Sequence, residues 1–193
     1  MVCAAIYILL HTGCRLSEAA YVVYHKSIVA SDYFVPHMKH PFKATMPRSV
    51  TKTSRDYFWL LPKYTIEFVS IIKKLASTGF PDFKALARAL GPYYDTQVLA
   101  KAGVAAKDKQ GNSYSMRTIR AARATEWVLL KEEYDVMKWE PHPPNPLQHT
   151  NIKMTLTNYA TKGVDNVWEA KRRCVEKYGR DPDLRQEWME EWI

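Results

Sequence analysis

Most apolar positions in this chain fall at helical spacing, and one stretch does not. Val2 to Leu10 is apolar throughout. The run is too short to span a bilayer, has no basic flank ahead of it, and leads straight into His11, Arg15 and Glu18. That predicts a buried helix rather than a leader or a membrane span. A second helix is predicted over residues 16–24, joined to the first at a Thr12-Gly13 corner. Between residues 27 and 62 the pattern changes. Val29, Tyr33, Phe34 and Val35 read as a strand, and Pro36, Pro41 and Pro47 break any helix. Residues 49–61 read as a hairpin whose β-branched and aromatic arms flank a polar turn near residues 53–56.

Helical period returns over residues 63–78, carried by Ile66, Val69, Ile72 and Leu75. Asp82 can cap a helix reaching Leu90. Gly91-Pro92 predicts a break, with another helix to about Ala102 and a polar loop over 107–113. An alanine- and arginine-rich helix is predicted over 115–131. The prolines at 141, 143, 144 and 146 exclude regular structure, and a short helix is expected over 153–159. Residues 164–178 are amphipathic. Asp181-Pro182 forms a capping pair that opens a last helix striped by Leu184, Trp188, Met189 and Trp192. The expected fold class is mainly α with a small antiparallel β-sheet.

Composition narrows the function. The 193 residues suffice for one domain with a full core plus a short tail. The net charge is +8, but residues 181–193 are acidic, which leaves 27 bases against 15 acids, a net +12, in residues 1–180. A basic body of that size favours a polyanion, and phosphate contacts dominate nucleic-acid affinity. Cys3, Cys14 and Cys174 are odd in number, far apart and without metal-ligand spacing. A reducing compartment is expected, cytoplasm with its nucleoid or nucleus. No metal, cofactor or membrane is expected.

The stretch Thr12-Gly13-Cys14-Arg15-Leu16-Ser17-Glu18 carries the candidate chemistry. Arginine grips a phosphate through two parallel N–H bonds, and a glutamate three residues on shares its helical face. The pattern T-G-x-R-x-x-E resembles the first arginine box of the tyrosine recombinase (integrase) family. Such enzymes cut DNA without metal: a tyrosine attacks phosphorus, two arginines hold the non-bridging oxygens, a lysine protonates the leaving 5′ oxygen, and a histidine or its substitute helps move protons. The resemblance makes Arg15 the first arginine and Lys52, in Thr51-Lys52-Thr53, the lysine, with Lys43 as the runner-up.

The second arginine box is degenerate. One register, Tyr114-Ser115-Met116-Arg117, makes Arg117 the catalytic arginine and is preferred. The other, Arg117-Thr118-Ile119-Arg120, makes it Arg120. Tyr114 stands where histidine is usual, as in some telomere resolvases. Arg120 and Arg123 are otherwise expected as a basic helical stripe on DNA phosphates, joined by Lys153. The last box, Gln148-His149 through Tyr159-Ala160, makes His149 a proton carrier and Tyr159 the nucleophile. It departs from the family in Gln148, in a His-to-Tyr interval one residue longer, and in the proline-rich approach.

The resemblance therefore implies a recombinase catalytic domain over residues 1–163. Residues 164–193 would form a C-terminal helical segment, packed in cis or exchanged with a neighbouring subunit. It implies double-stranded DNA as partner, a homo-oligomer on DNA, a separate N-terminal clamping domain, and recombination or integration in a viral or mobile-element setting. Two alternatives stay open: a telomere resolvase making hairpin ends, and a catalytically inactive DNA-binding protein of integrase-like fold. An unrelated basic adaptor would instead leave Arg15, Arg117 and Tyr159 far apart.

Overall fold

The computed structural model describes residues 1–32, 34–35, 38–51, 55–76, 79–105, 107, 111, 116–140, 142, 145–147, 153 and 167–179. In chain order its elements are α1 (Val2–Thr12), α2 (Leu16–Tyr24), β1 (Ile28–Ala30), β2 (Phe34–Val35), β3 (Met38–Lys39), β4 (Phe42–Met46) and β5 (Tyr57–Leu61). A 3-10 turn, Lys63–Thr65, leads into α3 (Ile66–Lys74), followed by α4 (Phe83–Tyr93) and a π-helical turn, Tyr94–Leu99. Then come α5 (Met116–Met137) and α6 (Val167–Tyr178). The described part is mainly helical, with one three-stranded antiparallel sheet in the order β1-β4-β5 and a two-stranded β2-β3 ribbon. No helix among the described residues is long and apolar enough to cross a membrane.

Helix α1 is central because its sequence is apolar on nearly every side. Ala4, Ala5, Ile6, Ile8 and Leu9 are all buried, and the helix packs against α2, α4, α5 and β5. Its end is sharply defined. Gly13 takes φ 65°, and its N–H donates to the Leu9 carbonyl at 2.8 Å. Thr12 Oγ1 donates to the Ile8 carbonyl at 2.7 Å and accepts the Cys14 N–H at 3.2 Å. The chain therefore turns within three residues and enters α2.

The sheet covers another side of this core. Ala44, Met46, Trp59 and Leu61 alternate inward along β4 and β5, with small Ala44 directly opposite Trp59. The hairpin is present, but its first arm is Phe42–Met46 rather than residues 49–51, which form a turn. Pro41 and Pro47 flank this strand, where a proline is tolerated because no ladder donor is required. The stretch read as a single strand around Val29 to Val35 is divided, β1 pairing with β4 and β2 with β3.

Two helices run further than expected. Asp82 caps α4 as its side chain accepts the Ala85 N–H at 2.7 Å. The helix then passes through Gly91 and Pro92 and loosens into the π turn. Proline removes one donor and crowds the carbonyl four residues back, and a wider turn relieves that crowding. Buried Tyr94 and Leu99 hold the widened segment on the core. Helix α5 continues to Met137 because Trp127, Val128, Tyr134 and Met137 extend its buried face. Helix α6 packs on α5 through buried Ala170 and Cys174. Arg173 bonds Glu132 at 2.8 Å and Lys177 bonds Glu133 at 2.9 Å across that seam. The expected last helix over 181–193 and the short helix over 153–159, Lys153 apart, lie outside the described residues.

Candidate active site

Arg15 is the N-cap residue of α2, with extended backbone at φ −77° and ψ 158°. Glu18 holds it twice. Oε2 accepts the Arg15 backbone N–H at 2.6 Å, and Oε1 accepts from Nη1 at 2.8 Å. The Glu18 side chain is 1% exposed while that of Arg15 is 28% exposed. A buried carboxylate thus fixes one edge of the guanidinium, and the arginine reaches outward. The glutamate of the sequence pattern also satisfies an amide at the start of α2 that the helix itself cannot.

Arg120 stands across from it on α5. The side chain is almost wholly buried. Nη1 donates to the Gly13 carbonyl at 2.6 Å and Nη2 to the Leu147 carbonyl at 3.4 Å. Those two contacts bring three distant segments together: the α1–α2 corner, α5, and the chain just before His149. Trp59 of β5 strengthens the last of these, its Nε1 donating to the Pro146 carbonyl at 3.0 Å. Arg15 and Arg120 line one cavity of about 580 Å³, with Arg88 of α4 as a third arginine. Leu9, Cys14, Leu16 and Met116 supply apolar wall, and no Asp or Glu lines the cavity among the described residues. Three arginines in one cavity lining favour an anion there.

The basic stripe expected on α5 takes a different form. Arg120 is inside rather than on an open surface. Arg123 Nε donates to the Leu10 carbonyl at 2.5 Å, and its Nη1 pairs with Glu126. Both arginines answer carbonyls at the end of α1, where the last turn lacks intrahelical donors and carries partial negative charge. Gly13 makes this possible: a Cβ there would lie 2.8 Å from Arg123 Cβ. Arg123 also borders a second cavity of about 470 Å³, with His11, Trp59, Trp127 and Tyr134, which carries two carboxylates, Glu126 and Glu133. Burial, then the charge on Arg123, holds the His11 imidazole below its usual range.

The remaining expected residues divide in two groups. Lys43 lies on β4, 3.4 Å from Asp32 Oδ1 and over the Phe58 ring at 5.7 Å from its centroid. It borders neither cavity. Lys153 is helical and exposed. Lys52, Tyr114, His149 and Tyr159 lie outside the described residues, as does the Arg117 side chain, whose backbone is in the first turn of α5. On either side of residues 52–54, Thr51 Oγ1 donates to the Arg55 carbonyl at 2.7 Å and accepts the Arg55 N–H at 3.1 Å.

Sequence reasoning missed Arg88. One signal could have found it, since Ala87 and Gly91, small and four apart on one helical face, open a gap beside that arginine. No protein-family model matches the sequence, and no curated protein or solved structure matches the chain.

Proposed function

We propose that this chain breaks and rejoins DNA strands through a covalent 3′-phosphotyrosyl intermediate, in the manner of a tyrosine recombinase, with Arg15 and Arg120 as its two phosphate-binding arginines. One observation carries the reading: Arg15 and Arg120, far apart in the chain, line a single cationic cavity without a carboxylate in its described wall. Arg120 is taken as the second arginine because it lines that cavity, while the Arg117 side chain lies outside the described residues. The Arg120 contact with Leu147, just before His149, further supports a shared site.

In this reading the Tyr159 phenolate attacks phosphorus. The P–O5′ bond breaks as the P–O bond to tyrosine forms, and Lys52 gives a proton to the leaving 5′ oxygen. His149 and Tyr114 assist proton movement. Charge gathers on the non-bridging oxygens during attack, and each preorganised donor aimed there is commonly worth about 10²–10³ in rate. The tyrosyl link keeps the phosphodiester energy, so attack by a 5′ hydroxyl rejoins the strand without ATP. Partners are double-stranded DNA and further copies of the chain. Rejoining to another duplex gives recombination or integration, and closing a strand on itself gives hairpin ends.

The test is a nicked duplex in which cleavage releases a short fragment bearing the new 5′ hydroxyl, so that the strand cannot be rejoined. Wild-type chain is expected to leave a protein–DNA adduct on a denaturing gel. Tyr159→Phe should abolish it while retaining DNA binding, and Arg15→Ala should lose cleavage far more than affinity. An adduct that persists in Tyr159→Phe, or none from wild type on nicked and hairpin substrates alike, defeats the reading.

A further inference from the structure

We propose that Arg88 of α4 forms a second phosphate subsite, one that holds the DNA phosphate next to the one under attack. The choice of DNA as the polyanion rests on the reading above, but the observations concern Arg88 itself. It is exposed and lines the same cavity as Arg15 and Arg120. Arg15 is paired with Glu18, and Arg120 donates to two carbonyls. Arg88 has no hydrogen-bond or ion-pair partner among the described residues. Its charge is therefore the least compensated at the opening.

The helix that carries it is firmly seated. Asp82 caps its start, and Leu86 and Leu90, both fully buried, fix its rotation against α1 and α2. Ala87 and Gly91 line the cavity on either side of Arg88. The arginine thus rises from a rigid base beside open space, with small neighbours that leave room for a strand.

Geometry then separates its role from that of the other two. Successive phosphates of one strand advance only ~3.4 Å along a duplex axis. A strand seated with one phosphate between Arg15 and Arg120 carries its neighbour to the cavity wall. That neighbour gathers no charge as the reaction proceeds, so a cation on it binds ground and transition states alike. Such binding lowers KM and leaves kcat unchanged. Arg88 is a binding residue, and Arg15 and Arg120 are the catalytic pair.

The experiment uses the full chain and a fluorescent nicked duplex. Affinity is measured by anisotropy across a salt series, and single-turnover adduct formation is measured at saturating DNA. Removing one phosphate contact reduces the slope of log K against log salt by about 0.9. Arg88→Gln should show that change with an unaltered saturating rate, and Arg88→Lys should restore the slope. Both should melt like wild type, since the side chain is exposed. A wild-type slope in Arg88→Gln overturns the subsite, even if the chain forms its adduct normally and the cleavage reading stands. A saturating rate that falls as far as in Arg15→Ala also overturns it, making Arg88 part of the catalytic pair's own machinery. A reduced slope in a chain whose wild type makes no adduct leaves Arg88 a phosphate contact, while defeating both the cleavage reading and the place of that contact beside an attacked phosphate.

Discussion

Replacing Gly13 with alanine tests the corner on which the candidate site is built. Two costs arise there, and the structure contains a residue that separates them. Gly13 has φ 65°, a region where a Cβ crowds the following carbonyl, worth roughly 1–2 kcal/mol. The new Cβ would also lie 2.8 Å from Arg123 Cβ and 3.2 Å from its Cγ. The Arg123 Cβ cannot swing away without moving α5, so this second cost is overpacking, typically about 1–3 kcal/mol. Gly103 shares the same φ of 65° but has nothing within 4 Å of an added Cβ. Gly103→Ala therefore incurs the backbone cost alone. Urea unfolding followed by circular dichroism should place Gly13→Ala below Gly103→Ala by about 1–3 kcal/mol. Any shift of α5 also lengthens the Arg120 bond to the Gly13 carbonyl, so adduct formation should fall in Gly13→Ala and persist in Gly103→Ala. If the two variants differ by less than ~0.5 kcal/mol, the scatter of unremarkable surface changes, the close approach of α5 to the corner is refuted.

Other consequences are simpler to state. Burial, with the nearby Glu18 carboxylate, pushes the Cys14 thiol up to about 12, so native chain treated with iodoacetamide at pH 8 should be alkylated at exposed Cys3 and spared at Cys14; mass mapping that finds Cys14 modified before unfolding contradicts this. The same raised value means the Cys14 contribution to stability is whole below about pH 9 and fades as pH climbs from 9 to about 12. His11 has the opposite sign: its imidazole is held below the usual 6.5 by burial and Arg123, so the unfolded chain binds the proton first and stability drops as pH falls through 6.5. Melting temperatures from pH 7.5 to 5.5 should decline less steeply in His11→Gln than in wild type. Glu18→Gln keeps an oxygen for the Arg15 amide but loses the ion pair; with Arg15 28% exposed, a cost of only about 1 kcal/mol is expected after discounting for solvent, and an equal melting point for both chains would argue that the pair holds nothing in place.

Much of the fold was legible in the chain, and the reasons are local. Gly13 after an apolar run marks a left-handed cap, and Asp82 before Phe83 marks an N-cap. Both are single-residue devices that need no distant partner, and both are where they were expected. The β4 strand was harder, because β-branched residues near Val50 and Thr51 drew the first arm of the hairpin there, while Phe42–Met46 is fixed as a strand only by its pairing with β1 and β5. Pro92 misled too. Whether a helix survives a proline depends on what its next turn can bury, and Tyr94 and Leu99 are recruited by α1 and its neighbours rather than by the adjacent sequence. The candidate site divides similarly. Arg15 and Glu18 are three residues apart, and their pairing follows from helical spacing. The choice between Arg117 and Arg120 depends on which face of α5 meets the α1–α2 corner, a tertiary fact.

The position of Arg120 has a physical reason in the helix ends. Helix α1 presents carbonyls at its C-terminal corner, and the fold answers those of Gly13 and Leu10 with Arg120 and Arg123 from α5. A guanidinium recruited for this purpose is rigid, since each carbonyl removes one of its freedoms. Rigidity is also what an electrostatic catalyst requires, because a donor already aimed at the developing charge costs no reorganisation during the reaction. In the proposed reading the two duties share one geometry in Arg120. Arg123 has the first duty alone, because its Nη1 is turned toward Glu126 and it borders the other cavity. Glu18, which pairs with Arg15, is not in the lining of that arginine's cavity, whereas Glu126 and Glu133 line the cavity beside Arg123 and would lower the field a phosphate feels there. On that ground the proposed phosphate chemistry belongs in the cavity without carboxylates in its described wall, although the other cavity is lined by more of the chain's aromatic side chains.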